Sequence, residues 1–200
     1  MGKLKKVFLF AGLILSSNLI FSQAFDDGKN IISLGFGLPA TSRITNTFDQ
    51  YKSNIDYNSK NYGTVVLKYE HGLQKYFGIG LNFEYSNGSV SYKYDNSPTL
   101  RYEVNIKSSL IGGYARLNGH FPIGKSLDIF AGAGLGYIYK IDNYNDTNPT
   151  NSNISRKNTS LDFDYQLTLG VRYMIKEHFG LFAEVGQAST IAQMGICLGF

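Results

Sequence analysis

The sequence predicts an all-β fold, an eight-stranded antiparallel up-and-down barrel that crosses a membrane with its strands. Three observations predict it. Apolar residues alternate with small, polar or charged ones from Ile32 to Phe200, while the helical spacing i, i+3, i+4 is nearly absent. The connections between the alternating segments also alternate, short at one end and mostly long and polar at the other. After the N-terminal leader no segment is an uninterrupted apolar run of the roughly 20 residues a spanning helix needs, so insertion has to use strands.

The elements follow in chain order. Lys3, Lys5 and Lys6 precede the apolar run VFLFAGLILSSNLIF, and small Ser22 and Ala24 stand where a signal peptidase reads. Residues 1–24 are therefore expected to be a cleaved export signal and residues 25–200 one barrel domain. No cysteine lies near the cleavage site, which excludes a lipid anchor. The first strand is IISLGFGL, with Ile32, Leu34, Phe36 and Leu38 opposed to Ser33, Gly35 and Gly37. The second, TVVLKYEH, sets Val65, Leu67 and Tyr69 against Lys68 and Glu70. In the third, Phe77, Ile79, Leu81, Phe83 and Tyr85 oppose Gly78, Gly80, Asn82 and Glu84. The fourth ends in ARLNGHF, with Arg116, Asn118 and His120 on the polar face, and the fifth is AGAGLGYIYK, bare on one side at Gly132, Gly134 and Gly136. FDYQLTLGVRY is the sixth, with Asp164, Gln166, Thr168 and Arg172 on one face; FGLFAEVG and QMGICLGF complete eight. Short turns, GLQK, PIGKS and IKEH, follow strands two, four and six, and each strand is expected to use about the 9 to 11 residues a tilted strand needs to cross the hydrocarbon.

Which face meets lipid follows from volume. A soluble ligand-binding barrel would have to pack Phe77, Phe83, Tyr165, Tyr173, Phe179 and Phe200 inside a narrow eight-stranded cylinder, where they do not fit. The small and charged face is therefore assigned to the lumen and the bulky apolar face to lipid. Tyr62, Tyr102, Tyr137 and Tyr139 are expected at headgroup level, since the chain has no tryptophan. A soluble sandwich is the alternative that also alternates.

Composition narrows the function. The chain carries 19 Lys and Arg against 15 Asp and Glu. Lys3, Lys5 and Lys6 belong to the leader, so the mature chain is close to neutral and nucleic acid is not a suggested partner. The single thiol, Cys197, cannot make an internal disulfide, no Cys/His cluster has metal-ligand spacing, and neither metal nor cofactor is implied. GFGLPA at Gly35 to Ala40, with Asp56 downstream, matches a dinucleotide fingerprint in letters only, because no helix pattern follows. Asp142 to Asp146 lacks the glycine and terminal glutamate of a calcium loop.

In its eight-strand pattern, in FAGAGLGY and FGLFAEVG, and in the terminal MGICLGF, the mature chain resembles the small outer-membrane β-barrel proteins of Gram-negative bacteria, the OmpX and OmpA transmembrane-domain type. That resemblance implies the bacterial outer membrane, outer-membrane lipid and lipopolysaccharide as surroundings, and a monomer. It also implies that Phe200, with Leu198, Ile196 and Met194 alternating before it, is the signal read by the outer-membrane assembly machinery.

The lumen face gathers Lys68, Glu70, Glu84, Arg116, Asp128, Asp164, Arg172 and Glu184, and a cross-barrel ionic network is expected, with Glu84, Glu184, Arg116 and Arg172 at its heart. Such a network reads as a plug in so narrow a barrel, or alternatively as the lining of a narrow porin-like channel. A lipid A-modifying enzyme is the rival class. His71, His120 and His178 all fall on the short-turn side, away from the outer leaflet, which argues against it. Between strands three and four the alternation continues through Val90, Tyr92 and Tyr94 and resumes at Tyr102, Val104 and Ile106. This predicts a hairpin projecting past the membrane, with a bulge at Gly112 and Gly113 to restore outward parity. Its open edge would offer an extracellular protein partner a strand to pair with. The function expected is structural and surface-interacting rather than catalytic.

Overall fold

The computed structural model describes residues 24–39, 51–97, 100–148, 155–187 and 190–200. The proposed leader up to residue 23 lies outside them. Eight strands run β1 (Asn30–Pro39), β2 (Ile55–Gln74), β3 (Phe77–Ser97), β4 (Leu100–Ile123), β5 (Leu127–Asp146), β6 (Ser155–Met174), β7 (Phe179–Gln187) and β8 (Thr190–Gly199). Each pairs antiparallel with its sequence neighbours and β8 closes on β1, so the ring has no gap in its lower part. Leu34, Phe36, Phe83, Leu117, Leu135 and Phe163 point out and are at least half exposed, while Glu70, Glu84, Arg116, Asp128 and Arg172 point in and are buried. An inside-out distribution of this kind is stable only where the outer solvent is lipid.

Strand lengths depart from the 9 to 11 residues expected. β1, β7 and β8 have 9 or 10, but β2 to β6 have 20 to 24. About half of each long strand thus suffices for the crossing, and the remainder stands beyond it as a five-stranded sheet.

The bulge expected at Gly112 and Gly113 is absent: β4 keeps unbroken register with β3 and β5 through both glycines. What changes along the strand is side-chain polarity, not parity. Outward residues of β4 pass from Leu117, Ala115 and Ile111 to Ser109, Lys107 and Asn105, while inward ones pass from Arg116 to Leu110, Ile106 and Val104. Once the outer solvent is water, the same backbone must turn its apolar residues inward. Bulges occur instead on β2, where Tyr62 and Gly63 together oppose Asn87, with Gly63 at φ 85°. The second, at Asp56 and Tyr57, holds Asp56 at φ 52°.

The projecting hairpin is accordingly not an open ribbon of outward tyrosines. Val90, Tyr92, Val104 and Ile106 are buried inside the sheet's curve, packed by Tyr51, Tyr57, Tyr94 and Tyr144. Tyr51 stacks on Tyr92 with ring centroids 4.7 Å apart. Tyr102 lies on the same inner face beside Tyr94, not at the lipid headgroups, whereas Tyr62, Tyr137 and Tyr139 do face outward. β2 covers one flank of the hairpin up to Lys93, and β5 covers the other up to Val104.

Candidate functional site

The lumen is filled in layers from the short-turn end upward. At the bottom Phe25, Ile31, Met174, Phe182 and Cys197 form an apolar stopper, against which Ala24, the last residue of the expected leader, also packs. The segment before β1 is tied in place by Gly28 N–H donating to Gly72 O at 2.9 Å, and Phe25 stacks on His120 with centroids 3.4 Å apart and planes within 7°.

Directly above lies the first charged centre. Arg172 Nη2 donates to Glu70 Oε2 at 2.6 Å and Nη1 to Asp128 Oδ2 at 3.3 Å. His120 sits between the same two carboxylates, Nε2 2.9 Å from Glu70 and Nδ1 2.9 Å from Asp128. Asn118 donates to Glu70 as well. Phe130 places its ring 5.2 Å from the Arg172 guanidinium, and Gly170 makes room for it, since a Cβ there would strike the ring.

The second centre is built on Glu184. Lys68 Nζ reaches one carboxylate oxygen at 2.5 Å and Arg116 Nη1 the other at 2.9 Å, with Gln193 donating at 3.0 Å. Arg116 also donates from Nη2 to Thr168 Oγ1 at 2.7 Å. The bare face of β5 is explained here. Asn118 pairs in register with Gly132 and Arg116 with Gly134, so the glycines lie under the guanidinium, and a Cβ on Gly132 would collide with Arg116 Nη2. Both long polar side chains cross a space that glycine leaves open.

Glu84 and Asp164, expected in the ionic network, accept hydrogen bonds from amide and phenol donors. Glu84 Oε1 accepts from Asn82 at 2.8 Å and Gln166 at 2.7 Å, and Asp164 accepts from the Tyr114 hydroxyl at 2.8 Å. Alternation along each strand assigns these carboxylates to the inner face but does not set their height in the bore. His120, Asn118, Asn82, Gln166, Thr168 and Gln193 complete the site beyond the expected ionic set. Their shared parity with Arg116, Glu84, Arg172 or Glu184 is the signal that finds them.

Between the two centres the free space is a cavity of 20 Å³, room for about one water. Leu110, Tyr114 and Ile138 cap the charged layers, and the aromatic cluster of the projecting sheet stands above them. Outside the spanning part, burial holds the Tyr92 phenol above its ordinary range. On the sheet's outer face the hydrogen bond from Lys93 to Asp56, 2.8 Å long, holds that carboxylate below its ordinary range.

His71 lies near Asn30 and His178 beside Gly199, both at the short-turn end, so all three histidines are remote from the projecting sheet. Among the described residues no group of three His, Cys, Asp or Glu is arranged to hold a metal ion.

Comparison with known proteins gives a family. Residues 13–195 match the family model described as outer membrane protein beta-barrel domain. No curated protein sequence matches significantly. Among solved structures, Ail, the attachment invasion locus protein of Yersinia pestis, is similar over 87% of this chain and 99% of its own, at 12% identity and a TM-score of 0.47. The outer membrane protein OprG of Pseudomonas aeruginosa is similar over 90% of this chain and 99% of its own, at 15% identity and a TM-score of 0.46.

Proposed function

The chain belongs to the outer membrane protein beta-barrel family and resides in the bacterial outer membrane, and from that premise we propose that it is a non-enzymatic, plugged barrel that acts through its projecting sheet. The observation that carries the reading is the contrast between the two ends of the molecule. The bore is closed by an apolar stopper and paired charges, while β2 to β6 extend well past β1, β7 and β8. Nothing about holding a barrel in lipid requires that extension, which is consistent with contact outside the cell.

The edge suited to a partner is on β6. Among the described residues β6 pairs with β7 only from Leu167 to Met174, so from Ser155 to Gln166 its far edge has no strand partner. Residues 155–163 are exposed on both faces. An extended peptide added there would gain main-chain hydrogen bonds and side-chain contacts on alternate positions. This moves the expected strand-addition site from the hairpin, whose flanks are covered, to the rim of the sheet.

Proline at Ser155 and Thr159 tests this by removing donors on the β7-side edge, the parity on which Ile175 N–H donates to Phe179 O, without touching the membrane-crossing half. Retained heat-modifiable gel migration with loss of cell attachment supports strand addition at β6. Unchanged attachment of the folded double variant would sink it.

A further inference from the structure

Above the lipid boundary, the outward face of the sheet carries three lysines in one register row. Lys60 on β2 stands opposite Ser89 on β3, Ser89 opposite Lys107 on β4, Lys107 opposite Asn143 on β5, and Asn143 opposite Lys157 on β6. The lysines occupy alternate strands, so their backbones are about 9.6 Å apart. All three are exposed, and none makes an ion pair among the described residues.

Among the described residues the outward rows on either side hold no carboxylate and, apart from Ile141, are polar. The outward row beneath contains Asn87, Ser109, Ile141 and Thr159; the row above contains Asn58, Ser91, Asn105, Asn145 and Ser155. Of the nearest outward acids, Glu103 lies one row farther out and Asp56 is already held by Lys93. Two shallow polar concavities flank Lys107, of 270 Å³ on the Tyr62 side and 450 Å³ on the Ser155 side.

The row is not level with the membrane. A register line leaving β6 at Leu161 passes Tyr139, Ile111, Tyr85, Val65, Phe36, Met194 and Ala183 and returns to β6 at Val171, ten residues nearer the short-turn end. Rows therefore descend from β6 toward β2. With strands tilted by about 40°, each lysine stands roughly 6 Å higher than the one before it, Lys60 lowest and Lys157 highest.

We infer that Lys60, Lys107 and Lys157 form an inclined ladder that binds the phosphates of outer-leaflet lipopolysaccharide, from its lipid A headgroup at Lys60 to its phosphorylated inner-core sugars at Lys157. The climb selects the ligand. A phospholipid presents one layer of phosphate and would reach only the lowest rung, whereas lipopolysaccharide carries anionic groups upward through a saccharide layer, with the asparagine and serine rows beside the lysines to hydrogen-bond its hydroxyls. The inference rests on the outer-membrane placement and not on strand addition at β6, so either can fail alone.

Folded protein in detergent is titrated with phosphorylated lipopolysaccharide, with lipid A lacking core sugars, and with phosphatase-treated lipopolysaccharide. The variants are K60S, K157S, the triple K60S/K107S/K157S, and a charge-matched control at the short turns, K75S/K125S/K176S. All are first shown to be folded by heat-modifiable migration, with glutamine replacing serine where a serine variant fails. We expect the triple variant to lose roughly tenfold in affinity for lipopolysaccharide at low salt and the control to lose none. K60S weakens both phosphorylated ligands, K157S only the one with core sugars, and phosphatase treatment brings wild type down to the triple variant. Equal binding by wild type and the triple variant, or no effect of phosphatase treatment, would overturn the ladder. So would equal loss of lipid A by K60S and K157S.

Discussion

Arg172 is the residue on which the lower charged centre turns, because it alone bridges Glu70 and Asp128 with a cation whose charge is permanent. Replacing it with alanine leaves two carboxylates buried against a histidine, and truncating one partner of a buried pair costs about 3–5 kcal/mol. Arg172→Ala is therefore expected to lower the unfolding free energy in lipid or detergent by about that amount, measured by urea titration with gel migration as the readout. A loss below about 1 kcal/mol would mean that the carboxylates find other partners. Only part of this centre was legible in the sequence. Alternation assigns a side chain to the lumen but says nothing of its height, and height is set by register across eight strands. Glu70 and Arg172 meet across 102 residues of chain. Glu84 and Asp164 share their face and take hydrogen bonds from an amide and a phenol.

At the scale of the strand, the informative feature of β3 and β4 is a reversal of polarity on an unshifted backbone. A sequence reader who assumes that apolar always means outward needs a bulge to reconcile Ile106 with Ala115, and Gly112 and Gly113 are the natural place to put one. The assumption holds only while lipid is outside. Beyond it, Val90, Tyr92, Val104 and Ile106 make a small core for the sheet, with Tyr51 reaching in before β2 begins. The alternation, strand count and short turns were legible because they are local; the reversal was not, because it depends on where the membrane ends. A charge placed in this core should loosen the projection and spare the barrel. Val104→Asp is expected to raise amide exchange across residues 88–106 while heat-modifiable migration persists, since Val104 is fully buried yet lies well above the charged centres. Unaltered exchange would show that the sheet needs no such core.

For the molecule as a whole, the question is whether so many polar groups in a bore make a conduit. Charge alone does not decide it; free cross-section does. Arg116 and Lys68 each reach the Glu184 carboxylate within 2.9 Å, the adjoining cavity has 20 Å³, and apolar layers lie both below and above. A hydrated ion would have to break two ion pairs and part the Phe25–His120 stack to pass. Eight-stranded barrels are narrow enough to be filled by their own side chains, and this one is filled with glycine beneath arginine so that the long side chains can lie across the bore. Wild type in planar bilayers is accordingly expected to show no steady single-channel conductance. Removing Arg116 leaves Glu184, among the described residues, held by Lys68 and Gln193 and opens the volume above Gly132 and Gly134. Arg116→Ala should then admit water and small cations, giving brief cation-selective openings that the parent lacks. Steady conductance in wild type, abolished by the same substitution, would instead make the charged layers a selectivity filter and the barrel a channel.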